Sequence, residues 1–398
     1  MSLGFGRTYL AIPGPSVMPD RVLNAMHQPA PNIYAGPLHD LVDRIVPQLK
    51  ALAGTRQHLA IYIANGHGAW EAANANVFSR GDQALSLVTG QFGIGWADSV
   101  RRMGVEVQEI DFGRRTPVDP ARVAEALAAD KAHGIKAVLL THVDTATSVR
   151  NDVAALRAAI DDTGHPALLM VDCIASLGCD PFLMDDWGVD VMVAASQKGL
   201  MTPPGLGFVW FSDKALKTCR NADLRTPYWD WTPRAAPQLF HQRFGGTAPT
   251  HHLLGLGEAL QMIDEEGLPA VWARHDRLAR AVWAAVDGWG TEGRITLNIA
   301  DPAHRSRAVT SIRMQAPDAT ALRNWTEAKA GVTLGIGLGM APMDDPAWHG
   351  FFRIGHMGHV NAHMVMGVLG GIEAGLTALG IPRGEIALGA AAAIIAEA

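Results

Sequence analysis

Lysine is scarce in this chain, with seven in 398 residues, and cysteine scarcer still, limited to Cys173, Cys179 and Cys219. Three cysteines cannot build a disulfide framework, and they fit a reducing, cytoplasmic setting. No basic block occurs, and 33 Lys+Arg against 39 Asp+Glu leave a formal net charge of −6. A nucleic-acid backbone has little to bind here, so that class of partner is set aside. Long apolar runs are missing too. The longest, Leu388–Ala396, is mostly alanine, too short to span a bilayer, and reads as a packed helix. Met1–Leu10 lacks the apolar run of a secretory signal. No Gly-Lys pair occurs, which removes a P-loop, and Gly335-x-Gly337-x-Gly339 places its third glycine one position early for a dinucleotide loop. His356, His359 and His363 have helical spacing, but no carboxylate or cysteine accompanies them. They read as structural or exposed, and no metal is expected.

What remains is a globular composition, 48% hydrophobic and 18% charged, on a chain long enough to bury a large core. The 42 glycines and 23 prolines predict many tight turns. From about 40 to 310, helical and strand-like patterns alternate. Ala137–Leu140 and Ala167–Val171 are apolar throughout, as a sheet covered by helices on both faces requires. The expected fold is α/β: a large domain over 21–266 with a mostly parallel, doubly wound sheet. An N-terminal arm over 1–20 precedes it. Gly267 and Pro269 mark a break before a smaller α+β domain over 267–398. Predicted elements include helices over Gly68–Phe78 and Trp96–Met103 and a Gly-rich stretch over Gly335–Gly339.

Six of the seven lysines fall in segments that read as surface. The seventh, Lys198, follows the apolar strand Val189–Ala195 and precedes the turn Pro203-Pro204-Gly205. An amine at the end of a buried strand is costly unless it loses its charge or gains a covalent partner, and a neutral amine is what Schiff-base chemistry needs. Upstream, Asp172 ends the strand Ala167–Val171, facing the crevice where α/β sheets bind ligands. A carboxylate there can keep a pyridine nitrogen protonated, turning the ring into an electron sink. Asn65-Gly66-His67-Gly68 joins a strand to a helix, a place where backbone N–H groups can approach a phosphate. Each feature alone is weak; their order along the chain carries more.

That order resembles the class V pyridoxal-phosphate aminotransferases, specifically the alanine–glyoxylate and serine–glyoxylate group. The likeness runs from Ile12-Pro13-Gly14-Pro15 through Gly66-His67-Gly68-Ala69-Trp70-Glu71-Ala72, Thr141–Thr147, Val171–Gly178 and Ser196-Gln197-Lys198 to Phe352-Arg353-Ile354-Gly355-His356. The resemblance implies fold type I and a homodimer with shared sites. It makes Lys198 the covalent anchor of pyridoxal phosphate and the carrier of the α-proton, and pairs Asp172 with the ring nitrogen. Thr145 approaches the phenolic oxygen. Gly66, His67 and Gln197 hold the phosphate, and Phe92 stacks on the ring, with Trp96 as the alternative. Thr247, with Phe244, reaches the neighbouring subunit's phosphate. Arg353 clamps the substrate carboxylate, for which a bidentate fork suits a planar anion.

The sequence also departs from that family. Ser148 stands where the family often has glycine. The N-terminal loop that touches substrate often carries a His-Arg pair; here it reads Asn32-Ile33-Tyr34-Ala35-Gly36-Pro37, which makes Tyr34 a substrate-contact candidate. The aromatic run Tyr228–Trp231 reads equally as an entrance lining or a subunit surface. The implied activity moves an amino group from serine, alanine or aspartate to glyoxylate or a similar small 2-oxo acid. A desulfurase needs a C-terminal cysteine nucleophile, and none follows Cys219. A lyase acting on a small amino acid stays open. A non-catalytic oligomeric protein is opposed by Lys198 with Asp172.

Overall fold

The computed structural model describes residues 2–292 and 294–397. Its strands are β1 (Tyr9–Ala11), β2 (His58–Ala64), β3 (Gln83–Val88), β4 (Glu106–Asp111), β5 (Ile135–Thr141) and β6 (Leu168–Asp172). They continue with β7 (Val191–Ala195), β8 (Gly205–Phe211), β9 (Thr296–Leu297), β10 (Val309–Arg313), β11 (Val332–Ile336) and β12 (Phe351–Gly355). Seven of them form one sheet in the order β2-β8-β7-β6-β5-β3-β4. Neighbouring strands run parallel except at β8, which is antiparallel to both β2 and β7.

The central strands are buried on both faces, and their side chains alternate between two cores. On β6, Leu169 and Val171 join one core while Leu168 and Met170 join the other. On β5, Val138 and Leu140 pack opposite to Ala137 and Leu139. Continuous apolar strands are therefore the signature of this sheet, as the sequence pattern implies. The structure is α/β with a mostly parallel, helix-covered large sheet.

The second sheet has the order β1-β11-β12-β10-β9 and is antiparallel apart from the β1–β11 pair. Its own core collects Ile312, Leu334, Phe352 and Ile354 with the helices Ala362–Ala378 and Ala387–Ile395. One long helix, Leu268–Trp289, belongs to both cores: Val271 packs in the first, and Leu278 through Trp289 pack in the second.

Three elements differ from expectation, each for a physical reason. Residues 9–11 of the N-terminal arm form a strand of the smaller sheet, Leu10 paired with Thr333; no local pattern reveals a partner more than three hundred residues away. The glycine-rich stretch is entered by β11, and Gly335 sits inside that strand because a Cβ there would stand 2.6 Å from Pro13 Cδ. The helix expected from Trp96 starts at Gln91. Gly93 and Gly95 disfavour helix, but a carboxylate elsewhere in the chain caps its first turn.

Candidate active site

The carboxyl ends of β2, β5, β6 and β7 open onto one cavity of about 230 Å³. Gly66, His67, Phe92, Thr145, Asp172, Gln197 and Lys198 all line it, joined by Asn65 and Trp70. The sequence order glycine turn, strand-end acid, strand-end lysine thus becomes a single enclosure at the crevice expected of such a sheet.

Asp172 is the last residue of β6 and is buried. Its Oδ1 accepts from the Ile174 N–H at 2.7 Å and its Oδ2 from the Trp70 indole Nε1 at 3.0 Å. Those two bonds favour the charged form, but burial outweighs them and pushes the carboxyl up to about 7. The nearby Asp144 charge pushes the same way, while Lys198 opposes it.

Lys198 follows Gln197 in the turn after β7 and is half-buried. Burial, then the Arg353 charge, pulls its amine down to about 8. Its Nζ donates to the Pro13 carbonyl oxygen. The N-terminal arm also grips the turn itself: Ser16 N donates to Gln197 O at 2.9 Å, and Ser16 Oγ donates to Lys198 O at 2.7 Å. Gly14 has φ +91°, and a Cβ there would stand 2.5 Å from Lys198 Cδ. Only glycine fits that backbone conformation and that closeness together.

Asn65 is the N-cap of the helix Gly66–Val77, its side chain accepting from the His67 and Gly68 N–H groups. The helix thereby starts at the cavity with its positive end toward it. Gln197 shares that wall, and its buried amide oxygen has no partner among the described residues. A Cβ on Gly66 would stand 2.5 Å from Ile174 Cδ1, so this glycine is a condition of the close packing there.

Arg353 is on β12, only 6% exposed. Its Nε donates to Ile336 O and its Nη1 to Thr145 O, each at 2.7 Å. The guanidinium is thus fixed to the cavity wall at Thr145 without lining the cavity itself. Burial draws it down to about 10, with Asp144 opposing that shift; it stays protonated at neutral pH.

The single chain does not bring every candidate together. Tyr34 is 85% exposed and Thr247 is exposed, both away from the cavity. Phe244 does not stand where the resemblance puts it: its side chain is fully buried in this chain's own core, edge-on to Phe240 at 5.5 Å, rather than presented at the surface. Phe92 lines the cavity, whereas Trp96 lies behind it, stacked on Trp70 with ring centroids 5.9 Å apart and its Nε1 bonded to Asn74. The aromatic run packs against this chain's own residues, with Tyr228 exposed. Trp231 stacks on Phe211 at 4.1 Å, Trp229 lies against Tyr62, and the buried Arg234 sits between the Tyr62 and Tyr228 rings. His356 is buried and bonded to Thr310 and Arg307, while His359 and His363 are exposed. No metal-ligating cluster occurs among the described residues.

Sequence reasoning left Asn65, Trp70 and Asp144 without roles. Asn65 carried a usable signal, since Asn before a glycine turn and helix is a favoured N-cap. Trp70 lies one helical turn past Gly66, but its bond to Asp172 depends on tertiary placement. Ser148 adopts φ +62°, the left-handed region, which accounts for glycine being an alternative there.

A family model described as aminotransferase class-V matches residues 8–363. A serine–glyoxylate aminotransferase from Methylorubrum extorquens is 38% identical over 385 residues, covering 94% of this chain and 92% of the relative. An L-aspartate–glyoxylate aminotransferase from Paracoccus denitrificans is 36% identical over 389 residues, covering 96% and 94%. Among solved structures, pyridoxamine–pyruvate aminotransferase from Mesorhizobium loti aligns with a TM-score of 0.88 at 25% identity over 99% of both chains. With a family model matched over most of its length and relatives above 30% identity along nearly all of it, this chain belongs to the class-V aminotransferases.

Proposed function

We propose that the protein is a pyridoxal-phosphate-dependent aminotransferase. It moves an amino group from a small amino acid (serine, alanine or aspartate) to glyoxylate or a similar small 2-oxo acid. The observation that carries this reading is the meeting of Lys198 and Asp172 in one small cavity, with Arg353 fixed to its Thr145 wall. The relatives named above act, by their names, on serine or aspartate with glyoxylate.

The residues fit the cofactor. Asp172 is an acid held up by burial, and a cation placed against it restores its charge. The helix start at Gly66 and His67, and the amide N–H₂ of Gln197 on the same wall, are the donors available to a phosphate. Phe92 supplies an aromatic face and Thr145 a hydroxyl on the same enclosure. When bound, pyridoxal phosphate supplies an electron sink for negative charge developing at the substrate α-carbon.

The chain's residues do the rest. The Lys198 amine, drawn down to about 8, is partly neutral near neutral pH, so it can act as a nucleophile and accept the α-proton. Arg353 orients the substrate by its carboxylate. Thr247, exposed on its own protomer, completes the phosphate end of a second copy's cavity, so the working unit is a homodimer. The three cysteines, all free and buried, support a reducing cytoplasmic setting.

The test is a donor screen with glyoxylate as acceptor, combined with borohydride reduction and peptide mapping. Serine, alanine or aspartate should support turnover, with the reduced cofactor fixed on Lys198; a fixed adduct on another lysine overturns the assignment. Light scattering should give twice the chain mass of 42.4 kDa. A fully active monomer would remove the shared-site role of Thr247.

A further inference from the structure

We propose that Asp144 is a positioning residue: from behind the cavity wall, its one carboxylate sets the placement of both Phe92 and Thr145. The proposal rests on the cofactor reading above, because these are the two groups assigned to the ring's face and its phenolic oxygen.

Asp144 is fully buried and does not line the cavity. Its Oδ2 accepts from Phe92 N at 2.8 Å and Gly93 N at 3.1 Å, and its Oδ1 accepts from Ala146 N at 2.9 Å. No cationic side chain pairs with it within 4.0 Å among the described residues. A buried carboxylate needs such donors, and here main-chain N–H groups from two separate segments supply them.

The two segments are the two walls in question. Phe92 and Gly93 begin the helix Gln91–Arg102, whose own N-cap, Gly90, makes no side-chain cap bond. Asp144 caps that helix from another part of the chain, and its charge suits the helix's positive end. Gly90 is part of the arrangement, since a Cβ there would stand 2.4 Å from the Asp144 carboxylate carbon. On the other side, the bond to Ala146 N closes the turn containing Thr145, the next residue along. Thr145 O in turn accepts from Arg353 Nη1 at 2.7 Å. The carboxylate therefore joins the aromatic wall, the hydroxyl wall and, through Thr145, the arginine.

Asp144→Asn is nearly isosteric but presents an amide N–H₂ to one of the two donor sets. One set loses its acceptor, and a buried N–H without a partner moves the segment that carries it. The control is Asp190→Asn. Asp190 likewise takes main-chain and hydroxyl donors, Leu169 N and Ser212 Oγ, each at 3.0 Å, but at the opposite end of the sheet from the cavity. The probe is pyridoxal phosphate itself, read by affinity and by the visible circular dichroism of the bound ring, with thermal unfolding followed in parallel.

Asp144→Asn should weaken cofactor affinity about tenfold or more and lower the visible dichroism per bound cofactor. Asp190→Asn should lower the unfolding temperature and leave both cofactor readouts at wild-type values. Wild-type affinity and dichroism in Asp144→Asn overturn the proposal. So do losses no larger than those of Asp190→Asn at matched destabilisation. If Asp144→Asn does not accumulate as folded protein, Gly90→Ala displaces the carboxylate with its charge intact. It must lower the dichroism and affinity in the same sense, and unchanged values there overturn the proposal. A wild-type protein that binds no pyridoxal phosphate defeats the cofactor reading itself, and is recognised before any variant is made.

Discussion

Replacing Arg353 with lysine keeps a positive charge on β12 and removes the planar fork. In the wild type the guanidinium spends Nε on Ile336 O and one Nη1 proton on Thr145 O, both at 2.7 Å. Its remaining N–H groups are left to meet a substrate carboxylate. A charge-assisted bidentate pair contributes about 1.5–3 kcal/mol. At about 1.4 kcal/mol per tenfold, losing the fork lowers kcat/KM by roughly 10–150-fold. Burial pushes the result toward the upper end. It already draws Arg353 down to about 10, and a lysine begins about two pK units lower than an arginine. The same desolvation therefore leaves the ammonium partly neutral, besides being a point charge on a flexible stem. The assay is steady-state transamination between serine and glyoxylate, with cofactor affinity measured separately. That affinity should hold, since Arg353 does not line the cofactor cavity. An amine without a carboxylate is the control, and its poor rate should not respond to the substitution. Equal losses for both classes of amine would make Arg353 structural, and an unchanged kcat/KM would mean that another arginine holds the carboxylate.

Three other outcomes follow from the same geometry. Burial holds His142 and His275 down to about 3 and His356 to about 4. Below about pH 6.5 these three histidines therefore bind more protons unfolded than folded, and their contribution to stability falls as pH drops from there toward 4. The buried carboxyls Asp144, Asp172 and Asp180, all raised by burial, work the other way over that window, so the histidine contribution is read as a difference between wild type and a histidine variant. Unfolding temperatures across pH 4–7 check it: His275→Gln should lose less on acidification than the wild type, and equal losses would refute the histidine argument. Trp70→Phe removes one of the two N–H donors to Asp172, pushing that acid further up. Cofactor affinity should drop more at pH 6 than at pH 8; a drop independent of pH would show that the bond does not set the charge. Gly14→Ala should lower kcat by an order of magnitude or more through displacement of the lysine, given a forced positive φ costing about 1–2 kcal/mol and a methyl against the Lys198 stem. Wild-type turnover in that variant would refute the packing argument.

The large sheet was legible because burial on both faces leaves its mark on every central strand. Ala137–Leu140 and Ala167–Val171 have no polar face to confuse the pattern. The cavity was legible through Lys198, the one lysine whose flanks read as core. What was not legible depends on contacts distant in sequence. Nothing around Tyr9–Ala11 announces a strand partner at Val332–Leu334. Asp144 sits fifty-two residues from the Phe92 N–H that it accepts, and its neighbours show only a turn. Phe244 was placed at the site by the resemblance, whereas an aromatic beside an apolar core is buried more readily than it is presented. The glycines of Gln91–Arg102 hid the start of a helix whose cap comes from another segment.

The grip of Pro13–Ser16 on the lysine turn has a mechanical meaning. Arg353 on β12 pairs with Gly335 on β11, Leu334 on β11 pairs with Ala11 on β1, and two residues later the Pro13 carbonyl takes the Lys198 ammonium. The route from Arg353 to the Lys198 amine is a stack of three adjacent hydrogen-bonded strands. Arg353 and the carbonyl partner of the lysine thus belong to one hydrogen-bonded unit of the smaller sheet. Cutting the chain near residue 12 would disconnect that unit from the lysine while leaving every wall of the cavity in place.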